Sequence, residues 1–95
     1  MKASEKAAPI RWDKGGDGFV VRAEKDLVEL RSTIPSAPGS RLTGALESGT
    51  AVRVKVARCR RIEGGFSIEG RLIDATRGSM AEIAALAEAL QGGAT

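Results

Sequence analysis

The side chains best equipped for chemistry in this chain are its arginines. Arg53, Lys55, Arg58, Arg60 and Arg61 fall in one continuous stretch, Arg71 follows in the next, and Arg22 stands earlier. A guanidinium forks onto phosphate or carboxylate oxygens through two parallel hydrogen bonds. Arg22, Arg53, Arg58, Arg60, Arg61 and Arg71 are therefore the candidate residues for an anionic ligand or partner. On adjacent strands, Arg53, Lys55, Arg58, Arg60, Arg61 and Arg71 would spread a positive field over one side of a hairpin. The competing account is a solvated outer sheet face, balanced by Glu63 and Glu69 across the strand pair, whose charges guard an edge against aggregation. Nucleic acid is a weaker partner, because the aromatic residues that stack bases, Trp12, Phe19 and Phe66, make up only 3% of the chain.

Other chemistry is thinly represented. The chain has no histidine or tyrosine and a single cysteine, which removes most nucleophile-base pairs and most transition-metal sites. Neither catalysis nor a bound metal or cofactor is expected. Asp13 and Asp17 adjoin a glycine turn, where hydrogen bonding to backbone accounts for them. Glu24 and Asp26 belong to a charged turn, and Asp74 ends a strand. Gly15-Gly16 and Gly64-Gly65 complete no strand-to-helix phosphate loop. Cys59, between Arg58 and Arg60, is placed where a thiolate would be favoured, but a lone cysteine in such a strand reads first as a small packing residue.

These groups must be held by a small scaffold. With 95 residues, 42% hydrophobic and 28% charged, the composition is that of one globular domain. The core has to rest on valine, isoleucine, leucine and alanine. A net charge of +3 allows attraction to anionic partners. One cysteine forms no intramolecular disulfide, no stretch reaches the ~20 apolar residues of a membrane span, and Met1 to Pro9 lacks the apolar run of a secretory signal. A cytoplasmic protein is expected.

Residues 1–9 read as a flexible lead-in and 10–91 as a single domain. Short strands are expected at 10–12, 19–22, 27–33, 41–46, 50–60 and 66–72, punctuated by turns at Gly15 to Gly18, Glu24 to Asp26, Glu47 to Gly49 and Gly64-Gly65. Pro35, Pro38 and Gly39 mark a loop with no ladder through 34–40. Val52, Val54 and Val56 alternate with Arg53 and Lys55, then the pattern slips. A β-bulge near Ala57 would restore it, and a strand that simply leaves the core there would account for it equally well. Gly70, at an inward position, leaves room for the sheet to bend or for Trp12 to pack close. Ser79 to Glu82 has the form of a capping box, so a helix is expected over 79–91, its stripe of Met80, Ile83, Ala87 and Leu90 closing one end of the sheet. The expected fold is mainly β: a small six-stranded antiparallel barrel with one C-terminal α-helix.

Pro38-Gly39-Ser40 before a strand, the basic strand from Val52 to Arg60, its partner from Phe66 to Asp74 and a closing helix together resemble the C-terminal two-thirds of PilZ domains. The similarity runs from Ala37 to Leu90. It implies a PilZ-like barrel and a place in bacterial cyclic di-GMP signalling, in motility or surface behaviour. Family members generally bind the dinucleotide through R-x-x-x-R before the first strand and [D/N]-x-S-x-x-G leading into the third. Here no two arginines stand four apart, and Arg22-Ala23-Glu24-Lys25-Asp26 occupies the place of the second motif. The resemblance thus implies a degenerate, regulatory or adaptor module acting through an unidentified protein partner, or through a second copy of itself, with cyclic di-GMP disfavoured. Two alternatives remain open: a cyclic di-GMP receptor using Arg11, Arg22 or Arg31, and a basic barrel that binds nucleic acid.

Overall fold

The computed structural model describes residues 9–92, with side chains through Glu88. The expected lead-in therefore lies outside the described residues except for Pro9. Six strands follow one another: β1 (Ile10–Trp12), β2 (Asp17–Glu24), β3 (Leu27–Ser32), β4 (Arg41–Ala45), β5 (Ala51–Ile62) and β6 (Gly65–Leu72). A helix, α1 (Arg77–Gly92), ends the chain as described. The strands close into an antiparallel barrel in the order β1, β2, β3, β6, β5, β4, so the six-stranded barrel with a C-terminal helix is what the chain forms.

The inward residues are those the period-two alternation selects. Val52, Val54 and Val56 of β5 meet Leu42, Val28, Leu30, Ile68 and Leu72 in one core with Ile83 and Ala87 of α1. The slip after Val56 is a bulge: Val56 pairs with Gly70, and the next partners are Arg58 and Glu69. One extra residue returns Cys59 to the side of Ile68, its cross-strand partner, where it packs half-buried against the core. A second register shift, between Val20 and Arg22 in β2, left no mark in the apolar pattern.

Trp12 corrects an expectation. It lies between β2 and β4, not against Gly70, and its ring covers Gly18 and Gly44, whose missing Cβ atoms would stand 3.0 and 2.8 Å from it. Its indole N–H donates to Ser32 Oγ at 3.0 Å, and that hydroxyl donates in turn to the Ile34 carbonyl at 2.7 Å. Gly70 is instead crowded by Val54 and the Lys55 carbonyl on β5. No strand runs through 34–40, as expected, and the end of that loop is tied to β5, where Gly39 N–H donates to the Val56 carbonyl and Val56 N–H to that of Ser40, at 2.7 and 2.9 Å.

The helix starts earlier than Ser79. Thr76 is its N-cap: Thr76 Oγ1 accepts from Ser79 N–H at 3.0 Å and Ser79 Oγ from Thr76 N–H at 2.9 Å, the reciprocal pair of a capping box shifted by one turn. Glu82 is thereby released. It reaches the turn between β4 and β5, where its carboxylate accepts from Ser48 Oγ at 2.5 Å and Thr50 Oγ1 at 2.6 Å. These bonds pin α1 over the barrel end formed by that turn and the last residues of β2, and Ile83 and Ala87 fill the opening. Leu90 lies beyond the described side chains.

The hydroxyl of Ser48, then that of Thr50, holds the Glu82 carboxyl below its ordinary value. A carboxylate depressed on folding contributes stability above its unfolded pKa, and that contribution is lost as pH falls through its folded pKa. The thermal midpoint of the wild-type chain is therefore expected to exceed that of Glu82→Gln at about pH 7, with the gap closing toward about pH 3. A gap that widens on acidification would contradict the pinning role.

Candidate functional site

Strand register arranges the outward side chains into rows that cross the barrel wall. In the row nearest α1, Leu27 of β3 stands opposite Arg71 of β6, Arg71 opposite Lys55 of β5, and Lys55 opposite Arg41 of β4. Next comes Arg22, Glu29, Glu69 and Arg58, on β2, β3, β6 and β5. Beyond it lie Phe19, Arg31, Ser67 and Arg60 on the same strands. Directly opposed side chains have Cβ atoms about 4.5–5.5 Å apart, so each row is a line of neighbours.

The predicted arginines are thus only partly brought together. Thanks to the bulge, Arg53, Lys55, Arg58 and Arg60 share the outer face of β5 with Arg71 of β6. Arg61 does not: it pairs with Phe66 and takes the opposite parity at the hairpin tip. Arg22 stands away from the basic hairpin on β2, with Glu29 as its cross-strand neighbour. Most of the others have a carboxylate close by. Arg53 lies 3.2 Å from Asp74, Arg71 lies 2.9 Å from Asp26, and Arg58 lies 4.0 Å from Glu69. All three pairs are exposed and contribute about 0–1 kcal/mol each. Lys55, Arg60, Arg61 and Arg41 have no carboxylate partner among the described residues.

Arg41 was not singled out from the sequence, although it completes the cationic row Arg41, Lys55, Arg71. It stands alone among apolar and small residues, and only the pairing of β4 with β5 shows that it faces Lys55. Like charges placed directly opposite one another destabilise a sheet, so this row is not explained by stability.

Two clefts mark the outer surface on the side of β2 and β3. One, of 480 Å³, lies over the β2–β3 hairpin, and Arg22 and Arg71 line it together with Glu24, Glu29 and Glu69. The other, of 730 Å³, lies between the start of β2, the end of β3 and the β5–β6 hairpin tip. Phe19 and Phe66 line the second cleft beside Arg31, which is held 3.1 Å from both Glu29 and Ser67. Among the described residues no cluster of histidine, cysteine, aspartate and glutamate could hold a metal ion, and no helix is long and apolar enough to cross a membrane. No family model, curated protein or solved structure matches the chain.

Proposed function

We propose that this chain is a non-catalytic, PilZ-like regulatory or adaptor module that works through protein contacts and not through cyclic di-GMP. The observation that carries the proposal is the second row. Glu29 and Glu69 stand directly opposite each other between Arg22 and Arg58, and with Arg31 and Arg58 beside them the arginines of this wall face carboxylates and not an open anion site. The neighbouring cleft sets Arg22 and Arg71 against Glu24, Glu29 and Glu69, and Arg71 is already paired with Asp26. A ligand with two phosphates meets repulsion there as well as attraction, and the loss of charge-assisted contacts of about 1.5–3 kcal/mol each removes the basis of tight binding.

The cationic row on β4, β5 and β6 provides a docking face for an acidic protein surface, with Arg60 as a further free cation on β5. Nucleic acid is a poorer fit to it, since the aromatic side chains lie elsewhere: Phe19 and Phe66 line the 730 Å³ cleft and Trp12 is buried. The resemblance supplies the setting, bacterial signalling in motility or surface behaviour. Calorimetric titration with cyclic di-GMP is expected to give no saturable heat at micromolar concentrations. Saturable micromolar binding that disappears in Arg22→Ala would defeat the proposal in favour of a receptor with an unusual arginine set.

A further inference from the structure

The 730 Å³ cleft differs in kind from the arginine-bearing wall. Its floor is apolar, built from Phe19 of β2, Ile62 and Phe66 of the β5–β6 hairpin, and Pro9 ahead of β1. All four are half-buried, which leaves ring and methyl surface facing the opening. Its volume lies within the range of about 300–1,000 Å³ typical of ligand sites and admits one or two large side chains.

The rim is acidic, although the chain as a whole carries +3. Asp17, Glu47 and Glu63 all border the cleft and are exposed. None of their carboxylates has a cation within salt-bridge distance among the described residues. Among the described residues, the only cation lining the cleft is Arg31, and its guanidinium already donates to Glu29 and to Ser67. The described lining of the cleft therefore carries more negative than positive charge, and a low-dielectric floor beneath the charges strengthens their effect. An anionic guest is repelled. A cationic one is drawn in, and its apolar part gains by covering the floor.

We propose that this cleft takes a short segment of a partner protein in which a large apolar side chain is flanked by lysine or arginine, seated on Phe19 and Phe66 and held at the rim by Asp17, Glu47 and Glu63. The inference rests on the protein-contact reading above and adds a second, oppositely charged face to it. The cleft lies at the tip of the β5–β6 hairpin beside the start of β2, whereas Lys55 and Arg71 of the cationic row stand at the other end of the same hairpin, so the two faces are separated along the barrel wall. A module with two such faces can hold an acidic partner and a basic partner at once.

The test is selection of a random-sequence peptide library, displayed on phage, against the full-length protein at about 0.15 M salt. Expected are sequences that combine an aromatic or large aliphatic residue with lysine or arginine. Their affinity should fall about tenfold or more in Asp17→Lys and in Glu63→Lys, fall in Phe19→Ser, and persist in Arg60→Glu. Glu63 lies in the exposed β5–β6 turn and its carboxylate makes no hydrogen bond among the described residues, so Glu63→Lys reads the rim charge without a folding defect; Asp17→Lys sets a lysine opposite Arg11 and is compared at an unfolding midpoint matched to the wild type. Failure to enrich any sequence, enrichment of acidic sequences that lose binding in Arg60→Glu, or basic sequences indifferent to the cleft variants would each overturn the inference. The calorimetric result with cyclic di-GMP is independent of all these outcomes, so a failed cleft is distinguishable from a failed protein-contact reading.

Discussion

Trp12→Ala is expected to lower the unfolding free energy by about 3–5 kcal/mol, against a total of about 5–15 kcal/mol for a domain of ordinary stability. Trp12 is 3% exposed and sits on the three-residue strand that joins β2 to β4 and closes the barrel. Truncation leaves a cavity bordered by Gly18 and Gly44, which have no side chain with which to fill it. It also takes away the donor to Ser32 Oγ, part of the hydroxyl network that ties the loop at Ile34 to the wall. Trp12→Phe separates the contributions, because it keeps most of the ring and forfeits the N–H bond, at about 1 kcal/mol for the bond itself. Denaturant unfolding followed by far-ultraviolet circular dichroism measures both variants without relying on the fluorescence of the tryptophan removed. A Trp12→Ala midpoint close to that of the wild type would show that closure of the barrel does not depend on this side chain.

Gly70→Val tests the opposite error, too much volume in place of too little. By propensity alone the substitution should help, since valine favours strands and glycine weakens them. Packing predicts the reverse. A Cβ at Gly70 would run into the Lys55 carbonyl oxygen and stand 2.7 Å from Val54 Cγ1. Both atoms belong to β5, whose position is set by pairing on its two sides. The strand has no room to retreat, and the expected loss is about 3 kcal/mol or more, visible as a low soluble yield and an early unfolding midpoint. A more stable variant would mean that β5 and β6 yield at the bulge, and the rows of charge built on their register would then need revision.

Both effects arise where a glycine accommodates a neighbour, and the two differ in how visible they were beforehand. The inward position of Gly70 follows from alternation with Ile68 and Leu72. Its crowding by β5 does not, because nothing in the local pattern says how close the partner strand comes. The pairing of Trp12 with Gly18 and Gly44 was hidden for a related reason: Gly44 is distant in sequence and meets Trp12 only when the barrel closes. The capping box was misplaced by one turn because Thr76 and Ser79 have side chains as competent as those of Ser79 and Glu82. The choice between them depended on Ser48 and Thr50 being available to Glu82.

Alternation of apolar and polar side chains, interrupted by glycine turns, was enough to specify six antiparallel strands and a closing helix, because each of these depends on neighbours close along the chain, whereas the slip after Val56 fits a bulge or a strand leaving the core equally well until the pairing with β6 decides for the bulge. Which charges face one another is another matter. A shift of one residue in a ladder would turn that strand's outward arginines to the inside; the separation of Arg61 from Arg60 is the strand's own alternation, the arrival of Arg41 beside Lys55 follows from the register of β4 with β5, and the opposition of Glu29 and Glu69 from the pairing of β3 with β6, strands remote in sequence. The acidic, apolar-floored cleft has the same origin, since Asp17, Glu47 and Glu63 come from separate turns and strand ends that only the closed barrel gathers around Phe19 and Phe66.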